Sequence, residues 1–301
     1  LLYPVNVSQT TGFTSYAGNV GNIQNKGIEL SLSGDIVKTK DLTVNLFANY
    51  TQNDNKITAL YSDDVPVAGD ISILKVGQPV YVYKLVRWAG VNPTTGKNEF
   101  YKLDGTKTDQ YSSGDAVTLD GKSNQVKYYG AFGTNISYKG FNLSAKFYYS
   151  GGNYIYNIPY ATGASDGESI GENQFTDASN YWKQPGDNVT MANLKDLSQR
   201  ATYNCDKYLE KGDYISLRDV TLSYNLDAQI AKKIKLKGVR FFVQGTNLWL
   251  GTKFRGLPEI GESNKEEADP ARAGTYTIPG QVALYGYPQF KAVTFGLNVK
   301  F

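Results

Sequence analysis

A strict two-residue alternation constrains this chain more than any other feature. In "QFKAVTFGLNVKF", Val293, Phe295, Leu297, Val299 and Phe301 are apolar, while Thr294, Gly296, Asn298 and Lys300 between them are polar or small. Successive side chains of a strand point to opposite faces, so such a segment has one greasy surface and one wet surface. The pattern recurs in "GIELSLSG" (Ile28, Leu30, Leu32) and, after a short polar connection, in "LTVNLFANY" (Leu42, Val44, Leu46, Ala48, Tyr50), which together read as a hairpin. A second hairpin pairs "AFGTNISY" (Phe132, Ile136, Tyr138) with "FNLSAKFYY" (Phe141, Leu143, Ala145, Phe147, Tyr149) across Lys139-Gly140. "RDVTLSYNL" alternates Val220, Leu222, Tyr224 and Leu226, and "VRFFVQGTN" alternates Val239, Phe241 and Val243. Together these predict seven strands of about 8 to 12 residues. "VYVYKLVRW" and "KNEFYKL" are weaker strands, expected in a pore-facing hairpin or at an edge, and "LDAQIAKKI" has room for one or two helical turns.

The connections are unequal. Those near 35–41, 139–140 and 227–236 are short, whereas 151–212 and 248–289 are long, polar and rich in Gly, Asn, Asp and Pro. Long structureless loops argue against a compact soluble domain, but an outer-membrane barrel has short turns at one end and long loops at the other. Polar residues on the wet faces, including Asn45, Asn49, Asn142, Ser144, Lys146 and Gln244, would be costly in a dry sandwich core and are at ease in a water-filled lumen. Tyr50, Tyr138, Tyr148, Tyr149 and Tyr224 cluster near strand ends, as an aromatic girdle would. The fold class expected is therefore all-β, an antiparallel transmembrane β-barrel portion with long extracellular loops. A soluble carbohydrate-binding β-sandwich is the alternative.

Composition narrows the chemistry. With 24 Tyr, 31 Gly, one Met and one Cys, this is a strand-and-turn chain. The 31 basic and 28 acidic residues are scattered, so no nucleic-acid partner is expected. The absence of histidine excludes a Ser-His-Asp triad and a His-ligated zinc site within the chain. Lone Cys205 makes no internal disulfide. No run is long and apolar enough for a spanning helix, a test to which barrel strands are blind. The opening "LLYPVNVSQTTGF" lacks a charged n-region and a cleavage site, so a signal peptide is not expected in it.

Six separated phrases carry a family resemblance, in order: "GNIQNKGIELSLSGDIVKTKDLTVNLFANYTQNDNKITAL", "GQPVYVYKLVRWAGVNPTTGKNEFY", "YWKQPGD", "GDYISLRDVTLSYNL", "VRFFVQGTNLWLGTKFRGLPE" and "YGYPQFKAVTFGLNVKF". Together they resemble SusC-type (SusC/RagA-like) TonB-dependent outer-membrane transporters over nearly the whole chain. The resemblance implies that residues 1–301 are the C-terminal part of a 22-stranded barrel, and that the plug and the TonB-contacting segment are not in this chain. Seven to ten or so strands cannot enclose so wide a lumen. It implies import of nutrient oligomers, glycans or peptides, at the cell outer membrane, with no enzymatic step and no cofactor. The implied partners are the N-terminal plug and barrel complement, a SusD-like surface lipoprotein, the TonB complex through the plug, and outer-membrane lipid. Phe301 is similar to the terminal aromatic that signals barrel assembly.

Ligand contact is expected from the aromatic residues of the long loop, Tyr154, Tyr156, Tyr160, Tyr181 and Trp182, which could stack on sugar rings or pack on peptide; packing against the loop itself competes with that role. Glu259, Glu262, Glu266, Glu267 and Asp269 read as a solvated acidic loop. "DGTKTDQYSSGD" and "SDGESIGEN" cluster oxygen ligands without the spacing of a calcium loop, so no metal is expected.

Overall fold

The computed structural model describes residues 2–13, 15–19, 21–62, 64–66, 71–164, 166, 171, 173–196, 204–258 and 289–301. Its dominant element is one seven-stranded antiparallel sheet in which sequence neighbours are spatial neighbours. The strands are β1 (Gly21–Lys38), β2 (Leu42–Leu60), β3 (Tyr128–Tyr138), β4 (Phe141–Gly151), β5 (Tyr214–Asn225), β6 (Gly238–Thr252) and β7 (Ala292–Lys300).

Register rows make the two faces explicit. Asn45 pairs with Asn135, Asn135 with Ser144, Ser144 with Thr221, Thr221 with Gln244 and Gln244 with Thr294, a polar row across six strands. One step along, Val44, Ile136, Leu143, Leu222, Val243 and Phe295 form an apolar row on the other face. This apolar face is uncovered: Ile28 is 68% exposed, Leu32 61% and Phe295 79%. A sandwich would have laid a second sheet over it. Phe141, Tyr224 and Phe241 share an outward row at one end, whereas Tyr148 lies on the polar face, its ring under the Arg218 guanidinium at 5.3 Å. The girdle expected of five tyrosines is thus missing that one, because Tyr148 alternates with the outward Phe147 and Tyr149 and so shares the face of Ser144 and Lys146.

All short connections lie at one end of the sheet. Lys139 (φ +44°) and Gly140 (φ +89°) form a tight turn with two positive φ angles, the kind whose twist matches paired strands. The β5–β6 connection holds the short helix α2 (Ala228–Lys233), capped by Asp227. At the opposite end the connections fold into a second body. Here "VYVYKLVRW" and "KNEFYKL" are not in the main sheet: Val82–Leu85 joins a small sheet with Ser72–Lys75, Asp64–Pro66 and Val117–Ser123, and Arg87–Val91 joins another with Asn98–Tyr101 and Lys107–Thr108. The 151–212 connection supplies Tyr154–Tyr156, helix α1 (Ile158–Gly163) and Leu209–Lys211.

The hydrophobic core sits in this loop module. Its largest cluster joins Ile71, Tyr83, Leu85, Tyr156, Tyr160, Met191 and Tyr208. The first hairpin exceeds the expected strand length, with 18 and 19 residues in β1 and β2. At about 3.3 Å per residue β2 runs roughly 60 Å, against the roughly 40 Å that a strand tilted by about 45° needs to cross the hydrocarbon. The surplus enters the module, where Ile57 is buried beside Val65, Leu74 and Val80. Most of the 248–289 connection, with Glu259, Glu262, Glu266, Glu267 and Asp269, lies outside the described residues.

Candidate functional site

The site has two parts, the polar face of the sheet and the loop module at its long-loop end. On the polar face Asp219 accepts hydrogen bonds from Thr221 Oγ1 (3.0 Å) and from Gln244 Nε2. Asn45 Nδ2 donates to Asp35 Oδ1 at 3.0 Å. Such ladders satisfy polar side chains within the wall and leave a wettable surface.

A buried polar clamp holds the module together. Asp166 accepts from Lys207 Nζ (2.7 Å), Asn98 Nδ2 (2.9 Å) and the Ala192 backbone N–H (2.8 Å). Asn98 in turn accepts from Trp88 Nε1 at 2.9 Å. The Asp166 side chain is fully buried and that of Lys207 nearly so. Segments of the 61–127 and 151–212 connections converge here, joined also by a backbone bridge between Val86 and Cys205. Beside the clamp, the Asp206 carboxylate accepts from the Trp88 N–H at 2.8 Å, and burial raises its pKa. Burial pushes the Cys205 thiol up to about 12, which keeps it out of thiolate chemistry.

Two of the sequence phrases meet at the rim. The Trp182 ring lies flat on Gly96, where a Cβ would come within 2.4 Å of the indole. Trp182 Nε1 and the Gly186 N–H both donate to the Pro93 carbonyl at 2.8 Å. Gly96 also has φ +74°, so glycine is required there twice over. "AGVNPTTGK" and "YWKQPGD" are therefore one structural unit, the first supplying a flat seat and the second the ring.

The expected ligand residues divide. Tyr156 and Tyr160 are buried in the module core, and Tyr160 is further committed by its hydroxyl to Asp177 (3.0 Å) and by the Arg255 guanidinium 3.6 Å from its ring centre. Their faces are spent on packing because Tyr154–Tyr156 pairs with Leu209–Lys211 and α1 folds back beneath it, held by Asn157, which accepts from Tyr160 N at 3.1 Å. Tyr154, Tyr181 and Trp182 are half-buried at the margin, with Lys122 Nζ 5.5 Å from Tyr154 and Lys183 Nζ 5.0 Å from Tyr181. Asn98, Asp166 and Lys207 were missed by sequence reasoning, since nothing in their local spacing marks three residues from different segments as one cluster. The carboxylates of "DGTKTDQYSSGD" diverge: Asp104 accepts from Thr106, Asp109 from Lys97, and Asp115 from the Leu103 N–H.

This geometry defines the wall of a transmembrane β-barrel with a structured cap of loops at one end. The comparisons specify which kind. No family model matches the chain. The chain is 27% identical over its whole length to TonB-dependent receptor P3 of Formosa agariphila, covering 31% of that protein. It is 26% identical to TonB-dependent receptor SusC of Bacteroides thetaiotaomicron over 92% of this chain and 28% of that one. Its fold superposes over its full length on the RagAB peptide importer in the closed-closed state with a TM-score of 0.84 at 25% identity, covering 32% of that chain. The chain is thus similar to TonB-dependent receptors, SusC among them, and spans about a third of their length. These relatives are named as receptors and transporters, not as enzymes.

Proposed function

We propose that this chain is the C-terminal part of the barrel of a SusC-type outer-membrane importer of nutrient oligomers. It contributes barrel wall and the extracellular loops that meet ligand and lid. The observation that carries this reading is the inverted burial: an uncovered apolar face on one side of the seven strands, polar rows on the other, and the packed core confined to the loops. Backbone groups in lipid must all be paired, so β1 and β7 pair with strands of an N-terminal complement, which also brings the plug through which the TonB complex acts. A SusD-like surface lipoprotein closes over the loop module. Phe301, next after β7, is the aromatic assigned to barrel assembly.

For the ligand, a glycan or a peptide, the proposal now rests on Tyr154, Tyr181 and Trp182 at the margin, with Tyr156 and Tyr160 supporting them from below. The test is extraction of the full-length transporter from outer membranes with detergent, mass analysis of co-purifying chains, and calorimetry with separate oligosaccharide and oligopeptide pools. A lipoprotein partner and a ligand whose affinity falls at least tenfold in Tyr181→Ala are expected. A detergent-independent soluble monomer would overturn the reading.

A further inference from the structure

The short-turn end carries a charge imbalance that the import reading does not use. Lys40 sits in the first turn, Lys139 in the second, and Lys232, Lys233, Lys235 and Lys237 in the third, all exposed. The only acidic residues in those turns are Asp41 and Asp227, and Asp227 is engaged in capping α2, accepting from the Gln229 N–H at 2.7 Å. Among the described residues, none of these lysines is in an ion pair. Lys139 Nζ lies 5.4 Å from the Tyr138 ring centre, at the edge of the outward face.

Beside this charge, α2 leaves aliphatic side chains uncovered. Ala231 is buried against the strands, but Ile230 and Ile234 are 48% and 56% exposed, four residues apart and so on one side of the helix. They stand in the connection between β5 and β6, at the end of the sheet where Phe141, Tyr224 and Phe241 form the last outward aromatic row. Bulky aliphatic groups projecting among lysines, at the level where a lipid-facing wall ends, are the arrangement of an interfacial segment: apolar groups enter the acyl boundary and ammonium groups meet headgroups.

We propose that the short-turn end is an interfacial clamp for anionic phospholipid of the periplasmic leaflet, with Ile230 and Ile234 set between acyl chains and the lysines of the β5–β6 connection and Lys139 on headgroup phosphates. It rests on the reading of the sheet as a membrane wall. Each lysine near an anionic surface strengthens attachment roughly fivefold, so the four of the third turn dominate.

The experiment uses the full-length transporter reconstituted in nanodiscs of mixed phosphatidylglycerol and phosphatidylethanolamine, with retained lipid counted by native mass spectrometry after mild extraction. Wild type is expected to retain phosphatidylglycerol at least tenfold over its share of the mixture. The variant K232Q/K233Q/K235Q/K237Q should lose that preference at any salt. Ile230→Ser with Ile234→Ser should keep it at low salt and lose it at high salt, where screening removes the ionic part. Equal retention of both lipids by wild type overturns the proposal, as does an unchanged preference in the lysine variant. Lysine-dependent binding of polyglutamate without a lipid preference also overturns it, in favour of an acidic protein partner. Failure of the wild type to enter nanodiscs at all would instead defeat the membrane-wall reading, so the two failures are told apart.

Discussion

The barrel wall and the loop module are built from the same kinds of strand residue and reach opposite solutions. In the wall, Ile28, Leu32 and Phe295 are exposed; in the module, Tyr83, Leu85 and Tyr208 are wholly buried. The wall has polar rows where a soluble protein has a core, while the module buries an ion pair among aromatic rings. The difference teaches that alternation sets the strand but not the solvent. In the wall the apolar face stays uncovered, as a membrane wall's would, and in the module the chain completes it with its own loops. The two regions should therefore fail separately, under different substitutions.

The largest effect is expected at the clamp. Asp166→Ala strands the Lys207 ammonium in the interior, and removing one partner of a buried pair costs about 3–5 kcal/mol. Limited proteolysis of the full-length transporter should then cut within the long connections, while the barrel keeps its compact, heat-sensitive migration in detergent gels. Loss of that migration along with the loops would break the comparison, showing one cooperative body instead of two.

The wall itself is tested by neighbours. Val220 and Thr221 are consecutive on β5 and face opposite sides, Val220 in the row of Ala145 and Gly245, Thr221 in that of Ser144 and Gln244. Arginine on a lipid face near the midplane costs about 2–4 kcal/mol, whereas a lumen-facing change does not meet hydrocarbon. Urea titration in lipid vesicles should show Val220→Arg strongly destabilised and Thr221→Arg close to wild type. Equal costs would mean that both faces see the same medium.

The wall was legible in sequence because its period is local: each of the seven strands announces its own two faces, and the short turns announce the order. The module was not, for the same reason inverted. Val82–Leu85 pairs with Val117–Ser123 from well along the chain and is buried at three of its four positions, so its faces are set by tertiary packing and not by alternation. Of the five aromatic residues expected at the ligand, only packing separates Tyr156 and Tyr160, which face the core, from Tyr181 and Trp182, which stay half-buried at the margin. Asp166 stands in a left-handed backbone conformation at φ +48° between residues whose own preferences say nothing about Lys207, 41 positions away.

A smaller effect is expected at the rim. Trp182→Ala loses a half-buried indole and its bond to Pro93, worth about 2 kcal/mol. Gly96→Ala drives a methyl into the same ring and forces alanine to φ +74°. If the two phrases form one unit, the double variant should be less damaged than the sum of the single variants, because removing the ring removes the clash. Protection of the long connections from protease measures all three. Strict additivity would separate the phrases again.

The smallest effect is a matter of pH and concerns Asp206. Burial disfavours its charged form, so its pKa in the folded module stands above the ordinary carboxylate value of 3.8. Between that ordinary value and the raised one, the folded module holds a proton that the unfolded chain has released, and stability falls as pH rises through this window. Asp104 and Asp109 act in the opposite sense, since hydrogen bonds from Thr106 and Lys97 lower their pKa values and favour the module as pH rises. The wild-type profile therefore mixes both signs, and only a difference isolates Asp206. Asp206→Asn keeps an oxygen that can accept from the Trp88 N–H and carries no charge to desolvate. Relative to wild type it should resist protease better at neutral pH and lose that advantage in acid below the ordinary carboxylate value, with barrel migration the same in both. An advantage that persists unchanged in acid would trace the gain to packing, whereas its loss identifies a charge that the loop module buries at a cost and the wall, open to water on one face, never has to bury.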